Sequence, residues 1–257
     1  MYFSAKHIDV KLNQDYADFN DNSLIICDGI GEFKDSEKVA KLVVEQFIGK
    51  EYSKLSDLIA DNELVKFKNE NIIGGTTFIS AVKKNSLDKI QIEYLGNGGV
   101  VHLYGDFSTN VNSDEPYRYG EIMIPHISPS GALTKHISHN SKKLELTPSS
   151  IEINLNYMKG DIIILYSDGI SSLEDKVILK DNNNRFWRNE NPAIQLILRE
   201  LDSFLKSSHN HESFQEEVIK FNQEILEKLN IENYLEDDAS LGIIITESTL
   251  NHYNAKS

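Results

Sequence analysis

Residues 159–169 read KGDIIILYSDG. The middle of this stretch is a run of β-branched and aromatic residues that predicts a strand buried on both faces, and an Asp-Gly pair follows it directly. The same arrangement occurs where Leu24–Cys27 runs into Asp28-Gly29. In a third place the order is reversed, and Asp238 precedes an apolar run. The sequence therefore places a carboxylate at the end of three buried strands.

Carboxylates beside buried strands have two interpretations. They face solvent separately at the tips of turns, since Asp-Gly after a strand is a common turn signal. Alternatively a cation holds them together, because buried carboxylates that converge repel one another. The segment Asn13-Gln14-Asp15 offers a further carboxylate, and the chain has one cysteine, Cys27. A metal site would therefore use oxygen ligands, which suit Mg²⁺ or Mn²⁺ better than zinc.

Length and charge narrow the class of protein. The chain has 257 residues, 40% of them hydrophobic and 26% charged, which is ordinary for a globular protein with a sizeable core. With 26 Lys and Arg against 40 Asp and Glu, the formal net charge is −14, so we expect no nucleic-acid partner and no membrane partner. No signal peptide is evident, and no apolar run reaches the roughly 20 residues of a membrane span. We expect a cytoplasmic monomer.

Helix and strand signals are mixed without regular alternation, which predicts an α+β fold. Helices are predicted over Ser36–Phe47, after an N-cap signature at Asn191-Pro192, and after a capping box made by Ser213 and Glu216. The polar stretch 107–145 is predicted to be an excursion beside the core.

Strands are predicted from short β-branched runs. Two of them, Ile90–Tyr94 and Gly99–Tyr104, flank Leu95-Gly96-Asn97-Gly98, which predicts a hairpin. The predicted strands are 23–27, 76–82, 90–94, 99–104, 161–166 and 240–246.

In order and local detail, these segments resemble the metal-dependent protein phosphatases of type 2C, the PPM family. The resemblance extends from Asn13 to Thr246, which is nearly the whole chain. The segments that carry it are Asn13-Gln14-Asp15, Cys27-Asp28-Gly29 with the helix that follows, Gly75-Thr76-Thr77, residues 159–169, and Asp238-Ala239-Ser240.

The resemblance implies one PPM-type domain over residues 1–257, built as an α-β-β-α sandwich of two antiparallel sheets flanked by helices. It implies two Mn²⁺ or Mg²⁺ ions that share a water, and hydrolysis of Ser/Thr phosphomonoesters in a phosphorylated protein without a phosphoenzyme. By the same resemblance, Asp28 bridges the two ions and the Gly29 carbonyl ligates one of them. Asp168 and Asp238 complete the shell of the other ion, and Asp15 sits at the second metal, directly or through water. The catalytic residues are then Asp28, Asp168 and Asp238.

The chain departs from the family pattern in three places. Ile30 follows Asp-Gly where many eukaryotic members have a histidine. Asn97 occupies the position of an aspartate that usually helps to bind a third metal, which puts a third ion in doubt. Lys11 lies near the position of a phosphate-binding arginine, and it supplies charge but not a bidentate fork.

Two functions remain open from the sequence. Retention of the aspartate set favours a metal-dependent phosphatase, whereas Ile30 and Asn97 favour a weak or inactive phosphatase-like module that binds a phosphoprotein or regulatory partner. His126, His136 and His139 match no zinc-ligand spacing and are interpreted as solvent-facing loop residues.

Overall fold

The computed structural model describes residues 1–31, 33–61, 70–84, 88–108, 117–141, 146–171, 178–180, 186–188, 191–207 and 209–255. The strands of these ranges are β1 (Tyr2–Ile8), β2 (Asp15–Phe19), β3 (Ser23–Asp28), β4 (Gly75–Thr76), β5 (Phe78–Lys83), β6 (Lys89–Leu95), β7 (Gly99–Tyr104), β8 (Gly120–Glu121), β9 (Ile137–Ser138), β10 (Ser149–Asn154), β11 (Asp161–Tyr166), β12 (Ile178–Lys180), β13 (Phe186–Arg188) and β14 (Ala239–Ile245). The helices are α1 (Ser36–Gly49), α2 (Leu55–Ala60), α3 (Asp168–Ser171), α4 (Pro192–Leu205), α5 (Phe214–Ile231) and α6 (Glu247–Asn254).

Two five-stranded antiparallel sheets form the centre of the fold. The first sheet has the order β1-β14-β11-β7-β8, and the second has the order β10-β6-β5-β3-β2. Two small sheets pair β12 with β13 and β4 with β9. None of the helices in the described part of the chain is both long enough and apolar enough to cross a membrane.

The continuous apolar run of β11 follows from its place between two layers of core. Successive side chains of a strand point to opposite faces. Ile162, Ile164 and Tyr166 pack with the helices α4, α5 and α6, whereas Ile163 and Leu165 pack into the space between the two sheets. Because both faces of β11 are buried, its central residues 162–165 are all apolar.

The second sheet is covered in the same way on its outer face. Val39, Val43 and Phe47 of α1 pack with Leu55 and Leu58 of α2 against this sheet. The layers therefore run helix, sheet, sheet, helix, and the predicted α+β sandwich of two antiparallel sheets flanked by helices is confirmed.

The hairpin predicted between β6 and β7 is wrong. The strand β6 pairs with β5 and β10 in the second sheet, whereas β7 pairs with β11 and β8 in the first. The connection crosses between sheets with Gly96 and Gly98 at φ 110° and 100°, which favours glycine. A side chain at Gly98 would also collide with the carbonyl of Tyr166. A sheet-to-sheet crossing and a hairpin share the same glycine-rich signal.

Other predicted elements are confirmed with small changes of boundary. The strand predicted over 76–82 is two strands, since β4 ends at Thr76 and β5 begins at Phe78. Two parts of the 107–145 segment pair with strands: β8 joins β7, and β9 joins β4. Residues 109–116 and 142–145 of that segment lie outside the described residues.

The two predicted helix caps have different outcomes. The buried Asn191 accepts the N–H of Ile194 at 3.1 Å and donates to the carbonyl of Ile170 at 3.2 Å, so this N-cap is confirmed. The capping box at Ser213 is wrong, because the Ser213 hydroxyl donates to the side chain of Glu217 at 2.5 Å and caps no backbone N–H.

We expect Asn191→Ala to lower the free energy of unfolding by about 1–2 kcal/mol, because it removes a cap and leaves two buried backbone groups without partners. The matched change Ser213→Ala should cost less than about 0.5 kcal/mol, since no cap is lost. Urea unfolding of both variants measures the difference. Equal losses would show that the Asn191 bonds contribute nothing beyond an ordinary substitution.

Candidate metal centre

Three carboxyl groups from the two sheets meet at one point of the fold. Asp15 begins β2 and is paired in register with Asp28, the last residue of β3. Asp168 begins α3 just after β11 ends, in the other sheet. The carboxyl group of Asp28 lies within hydrogen-bonding reach of both Asp15 and Asp168. The structure thus brings together three of the aspartates singled out in the sequence.

The electrostatics of this group are unfavourable to charge. Burial, and then the negative charges of Asp15 and Asp168, raise the pKa of Asp28 well above its ordinary value. Burial also raises the pKa of Asp15 to about 7, although the nearby hydroxyls of Ser167 and Ser240 oppose the shift. Without a cation, Asp15 and Asp28 therefore retain protons at a higher pH than ordinary aspartates do.

The donor set fits a hard divalent cation. All three groups offer carboxylate oxygens, the ligands that Mg²⁺ and Mn²⁺ prefer. The buried Oδ2 of Asp15 has no hydrogen-bond partner among the described residues, so one oxygen is available in the interior. The described residues include no ready-made cluster of three or more His, Cys, Asp or Glu side chains with the arrangement of a metal site. A cation would therefore have to draw these carboxylates together.

The Gly75-Thr76-Thr77 segment fixes the main chain of Asp28. The carbonyl of Asp28 accepts hydrogen bonds from the Thr77 N–H at 2.8 Å and from the Thr76 hydroxyl at 2.9 Å. In return, the Asp28 N–H donates to the Thr77 hydroxyl at 3.0 Å. These three bonds explain why two threonines follow a glycine here, because each hydroxyl replaces a strand partner at the point where β4 ends.

Gly29 packs too tightly for any side chain. A Cβ atom there would lie 2.8 Å from the Cβ of Gln14 and 2.9 Å from its carbonyl oxygen. The Gly29 N–H donates to that same carbonyl at 3.1 Å. No donor among the described residues bonds to the Gly29 carbonyl, which is consistent with its predicted use as a ligand.

Asp238 is stabilised in a different way from the other three aspartates. Its buried carboxylate accepts backbone N–H groups at 2.7–3.2 Å from the loop between β1 and β2. Burial acts to raise the pKa of Asp238, but these hydrogen bonds outweigh it and hold the pKa below its ordinary value. Asp238 therefore stays charged and anchors the loop, and its role as a metal ligand stays a prediction. The donors are Val10, Lys11, Leu12 and Gln14.

Asn97 contacts the carboxylate group directly. Its side-chain Nδ2 donates to Oδ2 of Asp168, and its Oδ1 is buried without a partner among the described residues. An amide that donates at this position cannot do what a carboxylate does, because it adds no negative charge for a third cation. With an asparagine at position 97, one oxygen of Asp168 is therefore already hydrogen-bonded to a side-chain amide.

His126 is a residue that the sequence interpretation missed. It was expected to face solvent, but it is half-buried and its ring stacks on Tyr94 with centroids 5.1 Å apart. The ring Nδ1 of His126 accepts the Gly96 N–H at 3.2 Å, and the main-chain N–H of His126 donates to the Gly96 carbonyl at 2.8 Å. It therefore fixes the turn that carries Asn97. No local pattern around His126 signals this contact.

The last two candidate positions are Lys11 and Ile30. The side chain of Lys11 is exposed, and its backbone N–H is one of the donors to Asp238. Ile30 is half-buried, and its N–H donates to the carbonyl of Gly75 at 2.9 Å. Its side chain carries no proton donor, so no acid stands at that position.

Comparison with known proteins shows the fold. No family model and no curated protein matches the chain. Among solved structures, a C. elegans sex-determining protein superposes with a TM-score of 0.64 at 15% identity, over 98% of this chain and 66% of that one. The serine/threonine phosphatase Stp1 from Staphylococcus aureus gives 0.59 at 17%, over 95% and 94%. The catalytic domain of the phosphatase PstP, in complex with two manganese ions, gives 0.59 at 14%, over 95% and 98%.

The raised pKa of Asp15 predicts a pH dependence of stability in metal-free protein. Because its pKa is about 7 when folded and 3.8 ordinarily, the folded chain binds more protons than the unfolded chain between those values, and stability falls as pH rises through them. Asp15→Asn removes this loss. Relative to the unaltered chain, the variant should gain on the order of 1–3 kcal/mol between pH 4 and pH 7. Urea unfolding in a chelator measures the difference.

The matched control is Asp21→Asn, which makes the same change of charge in the exposed turn after β2. A constant difference for Asp15→Asn across the same range would contradict a raised pKa at that carboxyl.

The anchoring role of Asp238 predicts a change in proteolysis. Asp238→Asn removes the charge that holds the loop, so trypsin should cleave after the exposed Lys11 at least about tenfold faster, since hydrogen bonds to a charged group contribute about 1.5–3 kcal/mol. Asp237→Asn, next to it and half-exposed, should leave the rate within about twofold. Timed digestion with mass spectrometry identifies the site. Equal rates in the two variants would rule out the anchor.

Proposed function

We propose that this chain is a metal-dependent protein phosphatase that hydrolyses Ser/Thr phosphomonoesters. The observation that carries the proposal is the convergence of Asp15, Asp28 and Asp168 from two different sheets, where burial and mutual repulsion raise the pKa of Asp15 and Asp28. A fold has no structural use for three carboxylates in contact, because each costs stability unless a cation or a proton compensates it.

The proposed site holds two Mn²⁺ or Mg²⁺ ions. Asp28 would lie between them, with the Gly29 carbonyl, Asp168, Asp238 and Asp15 as the other ligands. Bound ions would supply positive charge to the phosphoryl oxygens and a shared water acidic enough to attack phosphorus near neutral pH. The likeness to Stp1 and to PstP, which was solved with two manganese ions, supports this assignment at the level of the fold.

The protein's own groups have defined parts in this proposal. Thr76 and Thr77 hold the main chain of Asp28, and therefore the direction of its carboxylate. Asp238 holds the loop that ends at Asp15. Cys27 is fully buried and burial raises the pKa of its thiol, so the cysteine next to Asp28 is not a nucleophile. Direct attack by water needs no covalent intermediate on the chain.

We also propose that residues 1–257 form one phosphatase domain whose 107–145 segment selects the phosphoprotein substrate. The strand β9 of that segment pairs with β4, and Thr76 of β4 is bridged to Gly29. The His139 N–H donates to the carbonyl of Gly74 at 3.1 Å. The strand β9 is thus separated from Gly29 by a single strand, β4.

A phosphatase-like binding module is the second candidate. The amide of Asn97 on Asp168 and the occupied carboxylate of Asp238 favour it, since both groups already have protein partners. Such a module would recognise a phosphoprotein without turnover, and its aspartates would hold protons or one weak cation.

Hydrolysis of an aryl phosphate by chelator-stripped protein, with and without added Mn²⁺, separates these candidates. We expect Mn²⁺-dependent turnover, and we expect Asp28→Asn to lower it by about 100-fold or more, because several kcal/mol of charge stabilisation depend on the shared ligand. Asp21→Asn makes the same change of charge in an exposed turn and should retain full activity.

Calorimetric titration with Mn²⁺ completes the experiment. Tight Mn²⁺ binding without turnover would overturn the enzyme and favour the binding module. If neither Mn²⁺ binding nor turnover is observed, the proposed metal site itself is overturned.

A further inference from the structure

One edge of the first sheet is only partly covered. β1 is the last strand of that sheet and pairs with β14 on one side alone. At Phe3, the other side is covered by the side chain of Gln215 from α5, whose Oε1 accepts the Phe3 N–H at 3.2 Å and whose Nε2 donates to the Phe3 carbonyl at 2.7 Å. The Gln215 carboxamide therefore does what a peptide group of a neighbouring strand would do.

The same side of β1 carries the main-chain groups of Ala5 and His7. In an antiparallel pair, alternate residues direct their N–H and C=O groups to the same side. Because Phe3 bonds to Gln215 and not to β14, Ala5 and His7 also face away from β14. Neither residue's main chain has a partner on that side among the described residues. Ala5 is only 3% exposed, so unpaired groups there are costly.

A cavity of about 400 Å³ opens at this position. It lies between β1, β2 and α5, where the last strands of the two sheets meet the helix. Its wall includes the apolar side chains of Ile8, Phe19 and Leu226 and the acidic groups of Asp18 and Glu227. The other lining residues are Ala5, Lys6, His7, Ala17 and Gln223.

The other strand that lines the cavity, β2, is the edge of the second sheet and is less able to accept an added strand. The Phe19 N–H is already bonded to the side chain of Asp18 at 2.8 Å. β1 therefore offers the better edge, with the consecutive donor and acceptor pairs of Ala5 and His7.

Charge at the cavity favours a basic occupant. Asp18 and Glu227 are exposed at its rim against one cation, Lys6. Burial lowers the pKa of His7, and the negative charge of Asp9 raises it by a smaller amount. The pKa of His7 is therefore below its ordinary value, and His7 adds no charge at neutral pH. Asp9 and Asp238 also face His7, and the net charge of the chain is −14.

We propose that this cavity is a docking site for an extended basic peptide segment of a partner protein, which pairs with Ala5 and His7 as an added strand of the first sheet. Main-chain hydrogen bonds would provide affinity, and apolar side chains alternating with basic ones would suit the wall and rim. The proposal is independent of the phosphatase assignment, because none of the residues that line the cavity is a proposed metal ligand.

The test uses the 257-residue chain and a fluorescein-labelled, amidated five-residue peptide of alternating valine and lysine. Fluorescence anisotropy measures its affinity. The control is the same peptide N-methylated at every residue, which keeps the side chains and their charge but has no N–H donors. We expect methylation to weaken binding at least tenfold.

Variants of the protein locate the site. Glu227→Lys at the rim should weaken binding at least fivefold, whereas Glu224→Lys, the same change of charge on the same helix but outside the cavity, should not. His7→Pro removes an edge N–H that the ladder with β14 does not use, so the strand should persist while binding is lost. Circular dichroism and thermal melting confirm that each variant is folded.

Three outcomes would overturn the proposal. Equal binding of the methylated peptide would show that main-chain groups are not recognised. Equal losses in Glu227→Lys and Glu224→Lys would show general attraction to an acidic protein. No binding of either peptide at millimolar concentration would show that water alone satisfies this edge.

Discussion

The mutual repulsion of Asp15, Asp28 and Asp168 is the constraint around which this end of the molecule is built. Two of these carboxylates come from neighbouring strands of one sheet and the third from the other sheet, so they meet only when the sandwich closes. Burial raises the pKa of Asp15 and Asp28, and the neighbouring negative charges add to the effect. Closing the fold therefore creates a site whose charge must be balanced by protons or by a cation.

Asp238 shows the other way to stabilise a buried carboxylate. Backbone N–H groups of the loop between β1 and β2 surround it, and its pKa falls rather than rises. The loop that it holds runs from the end of β1 to Asp15. The loop thus begins at the edge strand β1, donates hydrogen bonds to Asp238, and ends at Asp15, one of the three converging carboxylates. Asp238 thus fixes backbone through its hydrogen bonds, whereas Asp15, Asp28 and Asp168 are the carboxylates that converge.

The fold and the function rest on different grounds. At 14–17% identity, the likeness to solved phosphatases shows that the chain has their fold, and nothing about turnover. The case for catalysis comes from the site: oxygen donors from separate elements, the Asp28 main chain held by two threonines, and a buried thiol unable to act. The case against it comes from Asn97, whose amide already bonds to Asp168.

Local patterns in the sequence determined the strands β3, β5, β6, β7, β11 and β14, the helices α1, α4 and α5, and the identity of the carboxylates, because these depend on periodicity and on residues that are neighbours in the chain. The strands β1, β2 and β10 were not predicted. Burial of β11 on both faces is visible in its uninterrupted apolar run, and the Asn191 cap in its own Asn-Pro pair. Tertiary structure alone decided what Leu95–Gly98 connects and why Asp238 differs from Asp168. A turn is shaped by the strands it joins, and a carboxylate's pKa by the donors and charges around it, which here come from distant segments.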